Sequence, residues 1–142
     1  MNLGEGYIQR NETLLLDRGY SGTGGINSVL TLSEPASAFE YLKIEMGYNT
    51  YGSDIQNVAT GSNYFNIYHW GAINNTEDGI LFQYRCKWNS PSSFYVEKSK
   101  LLRINTGDSD YQCWASTDGS YNTGTDRFAN NQINRVWGVD RK

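Results

Sequence analysis

Carboxylates come closest to a catalytic grouping in this 142-residue chain. Asp108, Asp110, Asp118 and Asp126 lie in or beside one polar stretch, Thr106 to Asn131, and Glu77 and Asp78 lie in another loop. A glycosidase needs only two carboxyls about 5–9.5 Å apart across a cleft, but the spacing here marks no pair, and loop carboxylates ordinarily close Asx turns. Neither GDSD nor STDGSYNTGTD follows the alternating oxygen ligands of an EF-hand closed by Glu. The single histidine, His69, has no second His or Cys at zinc-ligand spacing. Standing between Tyr68 and Trp70, it reads as a packed or hydrogen-bonded structural residue. Cys86 and Cys113 lack the CxxC pattern and read as buried thiols, with a bridge open to them only if their strands are neighbours. No GxSxG, P-loop or HExxH occurs. No catalytic residue, metal or cofactor is expected.

Aromatic side chains beside small polar ones carry a different chemistry. A sugar site needs a flat apolar platform with groups that bind hydroxyls. Trp88, Tyr95, Tyr111, Trp114 and Tyr121 each lie near Asn, Asp, Ser or Arg. Trp88 and Trp114 compete with the core for that role, since both stand in strand-like runs. Tyr121 lies in a polar loop, Thr117 to Arg127, with Asp118, Asn122, Asp126 and Arg127 as its polar companions. That loop uses the vocabulary of adaptable binding loops, in which aromatics supply area and small polar residues supply hydrogen bonds. The expected ligand-binding residues are therefore Asp118, Tyr121, Asn122, Asp126, Arg127, Trp114, Trp88 and Tyr95.

The elements that must position these residues read as strands. Aromatics make up 14% of the chain, with 15 glycines and two prolines, which favours short strands and turns. Thr13 to Asp17 is a short apolar run, and Ser28 to Ser33 another. EPASAF allows at most one helical turn. Glu40 to Tyr48 alternates most cleanly, with Leu42, Ile44 and Met46 facing inward and Lys43 and Glu45 outward. Asn49 to Asn63 reads as turn-rich. Tyr64 to Trp70 is a strand apolar enough to be covered on both faces. Ile80 to Trp88 has a core face (Ile80, Phe82, Tyr84, Cys86, Trp88) and a largely wet one (Leu81, Gln83, Arg85, Lys87). After a turn at Ser90 to Ser93, two short strands, Phe94 to Glu97 and Lys100 to Asn105, flank a break at Lys98-Ser99. Tyr111 to Ser116 and Ile133 to Val139 complete a count of eight to ten strands. The expected fold is all-β, a single-domain antiparallel β-sandwich of jelly-roll type.

A formal charge of −3 and a pI near 5.1 provide no field to hold a phosphate backbone, so nucleic acid is not an expected partner. No run approaches the roughly 18 apolar residues of a membrane span, and the opening MNLGEGYIQR lacks a signal-peptide pattern. A soluble domain without membrane insertion is expected.

Four core patterns are familiar as a set. An "L-x-x-G" turn falls on Leu14 to Gly22, a "T-L-S" strand on Thr31 to Ser33, "F-x-x-L-x-I" on Phe39, Leu42 and Ile44, and a closing "I-x-x-V-x-G-V" on Ile133, Val136, Gly138 and Val139. In this order they resemble the C-terminal domains of bacteriophage tail-fibre and related receptor-binding proteins. The resemblance covers both ends well and residues 49–131 loosely. It implies a β-sandwich knob, a homotrimer at a fibre tip of the virion, that attaches the phage to a bacterial cell-surface glycan or another envelope receptor. Residues 1–12 would then be the cut edge of, or linker to, a fibre shaft, and 13–142 the receptor-binding domain. The resemblance carries over no binding residues, because variable loops set the receptor in such proteins. Two alternatives stand beside it: a structural or carbohydrate-binding module of another virion part, such as a head fibre or baseplate, and a glycan-degrading enzyme.

Overall fold

The computed structural model describes residues 10–19, 29–48, 52–72, 79–105, 112–117 and 131–142. Nine strands occur among them: β1 (Glu12–Asp17), β2 (Val29–Thr31), β3 (Phe39–Tyr48), β4 (Gly52–Ala59), β5 (Tyr64–Ala72), β6 (Gly79–Ser90), β7 (Ser93–Asn105), β8 (Gln112–Thr117) and β9 (Asn131–Arg141). A 3-10 turn, Ala36–Ala38, precedes β3. The strands form two antiparallel sheets. One has the order β1-β9-β3-β4, and the other runs β2-β7-β6-β5 with β8 also on β7. The fold is an all-β sandwich, as its alternating patterns predict.

One core joins the sheets. Leu15, Leu42, Ile44, Met46, Ile133 and Val136 from the first sheet meet Leu30, Phe65, Ile67, Phe82, Tyr84, Cys86, Phe94 and Val96 from the second. Each large apolar side chain so buried contributes about 1.5–3 kcal/mol relative to exposure. The period-two pattern of β3 places Leu42, Ile44 and Met46 in this layer, all fully buried. The final strand lies between β1 and β3, so both ends of the described chain share a sheet.

Four departures from the simple pattern have physical causes. Residues 52–59 form β4, although they read as turn-rich. Ile55 and Val58 do not alternate with period two, so the strand is recruited by its continuous pairing with β3 rather than by its own composition. Lys98-Ser99 does not break the chain. Arg85 pairs with Lys98 and Cys86 with Val96, so Glu97 is the extra residue of a β-bulge in one long strand. The bulge shifts the alternation: Phe94 and Val96 are buried, whereas beyond it Ser99 and Leu101 stand opposite the inward Tyr84 and Phe82. A change of phase reads as a break.

Glu45 is the third departure. It is on the outer face, but only 6% exposed, because Arg135 donates to its Oε1 at 3.1 Å while also facing Asp17 at 3.2 Å. A buried carboxylate requires such a partner. Fourth, β5 is covered on one face only. Phe65, Ile67 and His69 are buried, but Tyr68 is 43% and Trp70 50% exposed.

The two sheets are also sewn together at one edge. Gln56 of β4 accepts a hydrogen bond from Tyr68 N and donates one to Tyr68 O, both at 2.7 Å. Asp54, two residues earlier, accepts from Trp70 N at 2.8 Å and lies 3.0 Å from His69 Nδ1. Side chains thus take the place of a strand along the edge of β5.

Candidate functional site

Turns gathered at one end of the sandwich build a groove of about 360 Å³. Residues 60–63 join β4 to β5, residues 91–92 join β6, which ends in Asn89 and Ser90, to β7, and the 3-10 turn closes the third side. Backbone bonds fix this arrangement. Trp88 N donates to Asn63 O at 3.1 Å, Ala36 N to Pro91 O at 3.0 Å, and Leu32 N to Ser92 O at 2.7 Å. Ser90 and Ser93 hydroxyls lie 2.8 Å apart across the β6–β7 turn. Pro91 presets the backbone of a turn position, and the serines supply local hydrogen bonds.

Trp88 forms part of the groove wall. Its indole packs against Phe65 and Phe94 with ring centroids 5.5 and 5.2 Å away, and those two rings meet edge-on at 5.1 Å. Such pairs contribute about 0.5–1.5 kcal/mol each beyond area burial, so the indole sits on a rigid support. Around it stand Ser37, Thr60, Ser62, Asn63, Asn89 and Ser90. The groove lining consists of indole, hydroxyl, amide and small apolar groups, with no ionisable side chain among it.

On the outer face at the same end, the alternation of β6 puts Lys87 opposite the neighbouring Trp88. Lys87 pairs with Tyr64 on β5 and Tyr95 on β7. Its ammonium lies 5.5 Å from the Tyr64 ring centroid, and the two tyrosines and a hydrogen bond to Tyr64 hold its pKa above the ordinary lysine value. Arg85, one step along the strand, lies with its guanidinium carbon 4.3 Å over the same ring and its Nε 3.4 Å from Glu97. Lys98 stands opposite Arg85 and is exposed.

The expected binding residues divide accordingly. Trp88 lines the groove and Tyr95 joins the outer row, so these two are close together but on opposite faces of their sheet. Trp114 stands in β8 opposite Arg103, while its side-chain surroundings fall outside what is described. Asp118, Tyr121, Asn122, Asp126 and Arg127 lie outside the described residues, as do Asp108, Asp110, Glu77 and Asp78. The strand leading into the Tyr121 loop ends with Thr117 opposite Lys100, on the strand that carries Tyr95. Sequence reasoning did not single out Asn63, Asn89, Ser90, Tyr64, Arg85 or Lys87. The available signals were the polar turn Asn89 to Ser92 and the wet alternation of β6.

His69 has the structural role its sequence context suggests. It is buried at 1% exposure, stacked at 6.3 Å on Phe82 and held by Asp54. Its Nε2 is buried with no hydrogen-bond partner among the described residues. Cys86 is a buried free thiol. It pairs with Val96, whereas Cys113 pairs with Ile104 at the far end of β7. At about 3.3 Å per residue this offset places the two far beyond the roughly 7 Å limit of a disulfide. Among the described residues no group of three or more His, Cys, Asp or Glu could hold a metal ion.

Compared with protein-family models, curated proteins and solved structures, the chain has no significant match.

Proposed function

We propose that this chain is a non-catalytic glycan-binding domain, the receptor-binding knob of a bacteriophage tail fibre. In this reading it attaches the virion to a bacterial surface polysaccharide as a homotrimer at the fibre tip. The observation that carries the binding part is the groove, where a rigidly supported tryptophan stands among hydroxyls and amides without an ionisable neighbour. Such a lining suits a polyhydroxylated ligand: the indole offers a flat apolar surface and the Asn and Ser side chains offer donors and acceptors. Glycoside hydrolysis needs an acid and a second carboxylate, and the groove lining supplies neither. The phage context is supported by the core motifs near both ends of the chain. A trimeric tip would let three weak sites act together by raising the effective concentration of each.

The test is adsorption. The full chain should bind host cells and their purified envelope polysaccharide, and added protein should compete with phage adsorption. An Asn63→Ala/Asn89→Ala double variant should keep its fold and lose binding, since both side chains are exposed. Absence of binding to cells and polysaccharide alike would overturn the reading. Binding without competition would assign the domain to another virion part, and release of reducing ends would make it an enzyme.

A further inference from the structure

We propose that the outer face of the five-stranded sheet, at the row formed by Tyr64, Lys87 and Tyr95 with Arg85 and Lys98 beside it, is an anion-selective surface for an acidic glycan. This rests on the glycan-binding reading of the neighbouring groove. The supporting observation is a local reversal of charge. The chain carries −3 overall, but the described part of this face sets three cations, Arg85, Lys87 and Lys98, against one acid, Glu97, which is paired with Arg85.

The cations are held in place rather than merely clustered. Like charges two residues apart on one strand face repel, yet Arg85 and Lys87 both lean on Tyr64, at 4.3 and 5.5 Å from its ring centroid. A ring face attracts cations and reduces the cost of keeping them close. Arg85 remains 45% exposed. Tyr64 and Tyr95 flank Lys87 across the sheet, so a flat ligand would meet ring, ammonium and ring in succession. Tyr68 and Trp70 extend aromatic surface along the same face of β5.

Charge and composition choose among anionic partners. A nucleic acid is held mainly by neutralising many phosphates, and the three cations among the described residues of this face, on a chain of net charge −3, are too few. An anionic membrane surface calls for clusters of about four to eight basic residues. A protein interface would centre on a fully buried core depleted of charge, whereas here the charges occupy the middle of the row. A sugar chain bearing carboxylates or phosphates needs only scattered cations between aromatic platforms. The groove lies directly behind this row, because Asn63 precedes Tyr64 and Trp88 follows Lys87. An acidic polysaccharide that passes round this end of the sheet would place neutral sugar in the groove and its charged group over Lys87.

The experiment measures retention of the full chain on an immobilised polyuronic acid, a polyglycerol phosphate, a neutral polysaccharide and a single-stranded oligonucleotide, across a salt series. Polyuronate or polyglycerol phosphate should bind more tightly than the neutral chain and weaken as salt rises, the preferred one identifying carboxylate or phosphate as the charged group. Lys87→Gln and Arg85→Gln should each weaken acidic-glycan binding by about tenfold, the loss expected of one charge-assisted hydrogen bond. Both should leave circular dichroism and neutral-glycan binding unchanged, and Lys87→Arg should retain affinity. Equal binding of neutral and acidic glycans, or unaltered binding by the Gln variants, overturns this inference while the groove reading stands. Tighter binding of the oligonucleotide overturns it in favour of a nucleic-acid surface. If neither glycans nor host cells are bound, the broader reading falls with it.

Discussion

Gly138 lies against the ring of Phe39 so closely that a Cβ on the glycine would come within 2.4 Å of the ring's Cγ. The two belong to neighbouring strands of one sheet, β9 and β3, and Phe39 is fully buried with Arg141 4.8 Å over its ring. Glycine is required here by space. Its absent side chain is the seat of a neighbouring aromatic.

Gly138→Ala should therefore destabilise the domain by overpacking, by about 1–3 kcal/mol. Urea denaturation should show a lower midpoint with an unchanged slope. Phe39→Leu should be destabilising alone but should relieve part of the Gly138→Ala penalty in the double variant. Strict additivity would show that the two residues do not share this space.

The edge of β5 gives a second prediction. Gln56→Leu removes two hydrogen bonds to the Tyr68 backbone and should cost about 1–3 kcal/mol, roughly 0.5–1.5 for each bond. Amide exchange at Tyr68 should accelerate, while the Trp70 amide, held by Asp54, should change less. Unchanged exchange at Tyr68 would contradict the capping role assigned to Gln56.

Acid should loosen the outer ties of the C-terminal strand. Hydrogen bonding by Arg10 holds the Asp140 carboxyl below its ordinary pKa, and hydrogen bonding by Arg141 does the same for Glu34. With folded pKa values below the unfolded ones, both pairs stabilise the fold above the unfolded carboxylate range near pH 4, and this is lost as pH falls through the folded values. A stability profile from about pH 6 to 2 should flatten in Asp140→Asn and Glu34→Gln. Asp140 also has a positive φ of 53°, a conformation Asn tolerates and Ala does not. Asp140→Ala should accordingly be less stable than Asp140→Asn at every pH.

Burial raises the pKa of the Cys86 thiol far above its ordinary range, and the thiolate is the reactive form. In a Cys113→Ser background, Cys86 should resist a thiol reagent at pH 8 until denaturant unfolds the chain. Rapid reaction of the folded protein would show that the β6 face carrying it is open to solvent.

The positions of most strands could be read from the chain because burial on one face imposes alternation on a single segment. Leu42, Ile44 and Met46 declare their side of β3 without reference to any other strand. Phe82, Tyr84 and Cys86 do the same in β6, and turn residues such as Ser90 to Ser92 mark where the chain reverses. The all-β class and the sandwich followed from such local regularity.

What tertiary structure alone decided is everything that depends on two segments meeting. β4 is a strand because β3 pairs with it along its length, Glu45 is buried because Arg135 covers it, and the bulge at Glu97 exists only in relation to β6. The groove is likewise assembled from three turns far apart in the chain, so no single stretch announces it. Trp88 and Tyr95 were visible beforehand as aromatics beside polar residues. Their assignment to opposite faces, one to the groove and the other beside Lys87, required the register of β6 against β7, since pairing across strands is what places side chains from distant segments side by side.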